Sequence, residues 1–105
     1  MKPEARYAEL VARLAHGRVS HVTEGKGFGS SGQLKIDGRI FAMLVRGELV
    51  LKLPRQRVDE LVDSGEGVRF DAGKGKPMRE WFFLSPTSKK QWLPLAQEAL
   101  EFVRG

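Results

Sequence analysis

Phe28-Gly29-Ser30-Ser31-Gly32-Gln33-Leu34-Lys35-Ile36-Asp37-Gly38-Arg39-Ile40-Phe41-Ala42-Met43-Leu44-Val45 is the stretch that decides the fold. It reads as a glycine-rich entry, an alternating strand, a tight turn and an apolar strand. Leu34 and Ile36 alternate with Gln33 and Lys35, so the first strand has one wet face. Asp37-Gly38 is a strong two-residue hairpin signal, because both residues tolerate positive φ. Ile40 to Val45 is apolar on both faces and reads as a central strand. Arg46-Gly47 makes a second turn, and Glu48 to Leu53 a third strand with Leu49, Leu51 and Leu53 on one side. Residues 33–53 are therefore expected to be a three-stranded antiparallel meander.

The pattern changes period on both sides of this meander. Upstream, Tyr7, Leu10, Val11 and Leu14 recur at helical spacing after Pro3, and Gly17 is a plausible stop. Glu9 and Arg13 can pair across one turn of that helix. His16 to Glu24 is either an extended connection or a short edge strand. Downstream, Pro54 opens a second helix whose Val58, Leu61 and Val62 face inward. Its Asp59, Glu60 and Asp63 face water, and Gly65 is a natural C-terminal cap. Val68 to Ala72 alternates as a fourth strand, Gly73 to Pro77 is a loop, and Glu80 to Leu84 is a fifth strand. Ser88 to Gln91 fits a capping box for a last helix with a Trp92, Ala96, Ala99 and Val103 stripe. Pro94 implies either a kink there or a start near Gln91. The expected core includes Phe41, Met43, Leu49, Leu51, Trp81 and Trp92. The order helix, three strands, helix, two strands, helix is an α+β class. Its economical form is an antiparallel sheet with helices on one face, in a single domain over 1–105.

Composition narrows the chemistry. The chain of 105 residues has no cysteine, so disulfides, thiolate metal sites and cysteine nucleophiles are out, and a reducing cytoplasm fits. No apolar run approaches the roughly 20 residues of a membrane span. The formal net charge is +5. That balance favours polyanionic partners such as nucleic acid, although many cytosolic proteins are this basic without such a role.

Catalytic motifs are missing from the pattern. Gly27 to Gly32 matches G-x-G-x-x-G literally, but a strand follows where a dinucleotide site needs a helix, so the glycines are read as a sharp turn. His16 and His21 are the only histidines and lack metal-ligand spacing. No serine sits in a G-x-S-x-G elbow. The expectation is a non-enzymatic chain without a cofactor or metal.

The basic residues are more informative. Residues 18–57 hold eight lysines and arginines against three acids, a surplus of five. Lys52, Arg55 and Arg57 surround the start of the second helix, where cations oppose the helix dipole and could hold an anion. Lys74, Lys76, Arg79, Lys89 and Lys90 form a second set, with Trp81 and Trp92 nearby in sequence. Cations beside aromatics suit phosphate contact and base stacking, unless the two tryptophans belong to the core.

Five segments in order resemble the TfoX N-terminal domain family, and more distantly the MmcQ/YjbR-like proteins. Phe28-Gly29 resembles the family's Met-Phe-Gly entry, with Gly27 in place of the Met. Ile36 to Ala42 resembles its Asp-Gly hairpin, and Leu49 to Lys52 the strand after it. Gly75-Lys76-Pro77-Met78-Arg79-Glu80-Trp81 resembles its Gly-Pro-Met-Glu segment, and Trp92 with Ala99 to Val103 its closing helix. The resemblance implies a two-layer α-β3-α-β2-α domain similar to secretion chaperones. It implies no catalytic residues. TfoX itself regulates natural competence and carries a second, helical domain, while YjbR-like members are often labelled DNA-binding. Two expectations follow: a regulatory module that contacts nucleic acid weakly through its basic clusters, or an adaptor for a protein partner. The adaptor requires a contiguous apolar patch, or a symmetric homodimer through one.

Overall fold

The computed structural model describes residues 3–14, 19–22, 30–70 and 79–105. At the centre, β2 (Ser30–Ile36), β3 (Arg39–Val45) and β4 (Glu48–Lys52) form the antiparallel meander. Asp37 and Gly38 have φ of 52° and 80°, and Arg46 and Gly47 have 50° and 81°. Both central residues of each hairpin turn are thus left-handed, as a two-residue type I′ connection demands. Arg46 takes this conformation despite its Cβ.

Three further strands widen the sheet. β1 (Val19–Val22) pairs antiparallel with β2, so the segment that could have been a plain connection is an edge strand, and the sheet has six strands, not five. β5 (Gly67–Arg69) and β6 (Trp81–Leu84) complete the order β1-β2-β3-β4-β6-β5. β6 lies between β4 and β5 and is antiparallel to both. Among the described residues the fourth expected strand is shorter than its alternating pattern, ending at Arg69.

α1 (Pro3–Leu14), α2 (Arg55–Asp63) and α3 (Trp92–Arg104) all contribute to one core on one sheet face. Leu34, Phe41, Ala42, Leu44, Leu49, Leu51 and Phe82 supply the sheet side with no measurable exposure. Tyr7, Leu10 and Leu14 of α1, Val58 and Leu61 of α2, and Trp92, Leu95, Ala96, Ala99 and Val103 of α3 supply the helix side. No polar or charged side chain is buried among the described residues. Arg6 caps this layer, its guanidinium 4.3 Å from the centre of the Trp92 ring.

The pairing of β2 with β3 is irregular. Leu34 pairs with Ala42 but Lys35 pairs with Ile40, so Phe41 is an extra residue. At such a bulge two successive side chains can share a face. Phe41 and Ala42 both enter the core, and Ile40 is turned to the opposite face beside Lys35. That opposite face carries a smaller apolar cluster. Val45, Val50 and Phe70 are buried there, with Met43, Trp81 and Phe83 half-buried against them. The rings of Phe70 and Phe83 stack with centroids 6.3 Å apart.

The helix ends differ from the sequence signals. Gly65, at φ 79°, closes α2 as expected: its N–H bonds the Val62 carbonyl and that of Glu66 bonds the Leu61 carbonyl. The capping box before α3 does not form. The helix begins after Gln91, which makes no side-chain cap, and Pro94 falls within its first turn, where its missing N–H costs no helical bond. The Ser88 hydroxyl instead donates to the Glu66 carboxylate at 2.6 Å, tying the α3 approach to the loop after α2.

This packing has two consequences for stability. A Cβ on Gly67 would overlap the Phe83 carbonyl and come within 2.6 Å of the Phe82 ring. Gly67→Ala should therefore lower stability by about 3 kcal/mol, read as a shifted denaturant midpoint at constant slope. Tyr7 is the chain's only tyrosine, and burial raises its phenol well above the ordinary value of 10.0. Only the unfolded chain then ionises readily near pH 10, so stability is full below that pH and falls as pH rises above it. Phenolate absorbance should appear together with unfolding, not before it.

Candidate basic and aromatic surface

Trp81 organises the described cations. It opens β6 at the end of its ladder, opposite Lys52 of β4. Strand alternation sends Phe82 into the core and leaves Trp81 half-buried on the other face. The Lys52 ammonium lies 5.7 Å from the centre of its ring, near the outer limit of a cation–π contact.

Two grooves meet at Trp81 and Glu80. One, of about 490 Å³, is lined by Lys35, Arg39, Ile40 and Lys52 and by Phe102 at the end of α3. The other, of about 320 Å³, is lined by Arg55 and Arg79. Five cations thus line the two grooves that share this indole, with Glu80 as the single acid in their lining. Among the described residues, none of the five has a carboxylate within ion-pair distance. The start of α2 adds to the same sign of potential. Its N-cap is Pro54, with no side-chain cap and no acid in the first turn.

The structure divides the residues that the sequence grouped. Lys52, Arg55 and Arg79 come together at Trp81. Arg57 does not join them; it lines the groove that also holds Lys89 and Lys90. It turns to α3 and binds Glu98 with two nitrogens, Nε to Oε1 at 2.8 Å and Nη2 to Oε2 at 3.3 Å. Glu60 accepts from it at 3.2 Å. These hydrogen bonds, that to Glu98 foremost, raise the Arg57 pKa further. A cation two positions from Arg55 projects to another side of a helix, and only the neighbouring helix decides what it meets there.

Lys89 and Lys90 line a separate groove of about 630 Å³ that also holds Glu66, Ser88 and Glu98. They do not join Arg79. Lys74 and Lys76 lie outside the described residues, as do His16 and the Gly27–Gly29 entry. Trp92 is core, 7% exposed. Two acids read as solvated are engaged: Asp59 pairs with Arg69, and Glu60 with Arg57. Lys35 and Arg39 are the members of the patch that sequence reasoning missed. Their signals were their place in the basic stretch of residues 18–57 and on the polar face and turn of the hairpin.

Among the described residues no three His, Asp or Glu side chains converge to hold a metal, and no helix is long and apolar enough to cross a membrane. The arrangement can neutralise phosphates and offer an aromatic surface.

The Arg57 assignment has a direct check. Arg57→Met should cost about 1 kcal/mol of stability by breaking a half-exposed, two-nitrogen bridge between α2 and α3. It should leave any anion affinity of the Trp81 surface within twofold.

No family model, no curated protein and no solved structure matches this chain.

Proposed function

We propose that this chain is a non-enzymatic interaction module that contacts nucleic acid through the surface around Trp81. The observation that carries the reading is the set Lys35, Arg39, Lys52, Arg55 and Arg79, five cations without an ion-pair partner among the described residues. Like charges this close repel one another, which costs stability unless an external anion compensates. Elsewhere Arg13, Arg57, Arg69 and Arg104 each have an acid partner, while Arg46, Lys89 and Lys90 have none among the described residues but do not share a groove with Trp81. The net charge of +5 acts in the same direction at long range.

The two segments that bear most on the resemblance to the TfoX N-terminal and YjbR-like proteins both reach this surface. Gly38, Arg39 and Ile40 come from the Asp-Gly hairpin, and Arg79, Glu80 and Trp81 from the segment before β6. A regulatory role at nucleic acid agrees with that resemblance. An adaptor for an apolar protein surface has less support. Among the described residues the exposed large hydrophobic side chain is Val68, at 58%, on the edge strand β5.

Phosphate contact makes the test a salt titration. Binding to a short duplex or single strand should be weak, largely independent of sequence, and linear in log salt. Each phosphate neutralised adds about 0.9 to the slope. Replacing Arg39, Arg55 and Arg79 together by Gln should reduce the slope by up to about 2.7, and replacing Lys89 and Lys90 should leave it unchanged. No binding to either probe at low salt and micromolar protein would remove nucleic acid as the partner.

A further inference from the structure

We infer that the Trp81 surface takes single-stranded nucleic acid in preference to duplex, with one base stacked on the indole and flanking phosphates held in the two grooves. The inference rests on the nucleic-acid reading of this surface and names the substrate form.

The geometry is two sets of cations in two grooves that share one aromatic ring. Lys35, Arg39 and Lys52 line one groove that reaches Trp81, and Arg55 and Arg79 line a second. Both grooves include Trp81 and Glu80, so the indole is a wall common to the two. The two grooves, of about 490 and 320 Å³, are open to solvent, so a flexible strand can reach the cations of both.

Trp81 is also held in place. It packs against the apolar cluster of Val45, Val50 and Phe70, so one part of the indole is anchored and the remainder is open. A fixed ring loses little freedom when a base lands on it. The Lys52 contact at 5.7 Å is loose. An arriving base can displace that ammonium, which then has a phosphate to meet.

A duplex cannot use this arrangement. Its bases are stacked inside, and it presents phosphates to a surface. It could touch the exposed Arg39, Arg55 and Arg79 while leaving the indole unused. A single strand can turn a base out, and any base offers a π-face, so sequence preference should be small.

The test uses Trp92→Phe as background, which leaves Trp81 as the sole indole of a chain with two tryptophans. A short mixed-sequence single strand and the duplex made from it are titrated while Trp81 emission is followed. The single strand should bind more tightly and quench the emission, and the duplex should bind with little quenching. Trp81→Leu keeps an apolar side chain in the packing and should lower single-strand affinity about tenfold, with duplex affinity within twofold. Trp81→Phe should restore most of the loss, and circular dichroism checks that each variant is folded. Equal affinity for both forms, unchanged emission at saturation, or an equal loss of both affinities in Trp81→Leu would overturn the single-strand inference. In those cases a normal salt slope would still uphold the nucleic-acid reading. Absence of binding by either probe would overturn both.

Discussion

The centre of one sheet face is sealed, and the rest of the molecule is arranged around that fact. Leu34, Phe41, Ala42, Leu44, Leu49, Leu51 and Phe82 form a floor with no exposure, and no polar side chain is buried among the described residues. Each of the large side chains in this floor contributes roughly 1.5–3 kcal/mol when withdrawn from water. A strand can offer such a floor only through every second residue, so the intervening positions must go to the other face. Lys35, Lys52 and Trp81 are such positions. The surface around Trp81 is therefore a direct consequence of the register that builds the core.

The bulge at Phe41 is where this coupling is tightest. Without it, Phe41 and Ala42 would lie on opposite faces, and Ile40 would point with Ala42 toward the helices. With it, Phe41 and Ala42 both fill the core and Ile40 comes to Lys35. The cost is a locally broken ladder. The return is a phenylalanine without exposure at the centre of the core, and an apolar side chain in the groove beside the cations.

Charge is distributed by the helices more than by the strands. α2 carries both halves of the division: Arg55 at its start turns to Trp81 and Arg79, and Arg57 turns to Glu98 of α3. Farther along, Asp59 meets Arg69 of the edge strand. These half-exposed pairs each contribute little to stability. Their larger effect is on the potential, since they consume acids that could otherwise neutralise the cations around Trp81. A helix start with no acid and no cap adds its partial positive charge at Arg55.

The sequence by itself determined the meander, the helical stripes and the α2 stop, because each is written in a local period or a turn residue. Asp37-Gly38 needs only its own φ preferences to turn, and Tyr7, Leu10 and Leu14 need only helical spacing to share a face. The stripe from Trp92 to Val103 is buried for the same reason. Three things were decided only by tertiary structure. Val19–Val22 became a strand because β2 offered it an unpaired edge, which no four-residue propensity can announce. Ser88 is not the helix cap because α3 starts only after Gln91, and its hydroxyl ties instead to the Glu66 carboxylate on a loop distant in sequence. Arg57 and Lys52, neighbours by sequence charge, were parted because one faced a carboxylate on α3 and the other an indole on β6. The sequence records how many cations there are, and only the packing of helices on the sheet decides which of them meet an acid and which remain together around an aromatic ring.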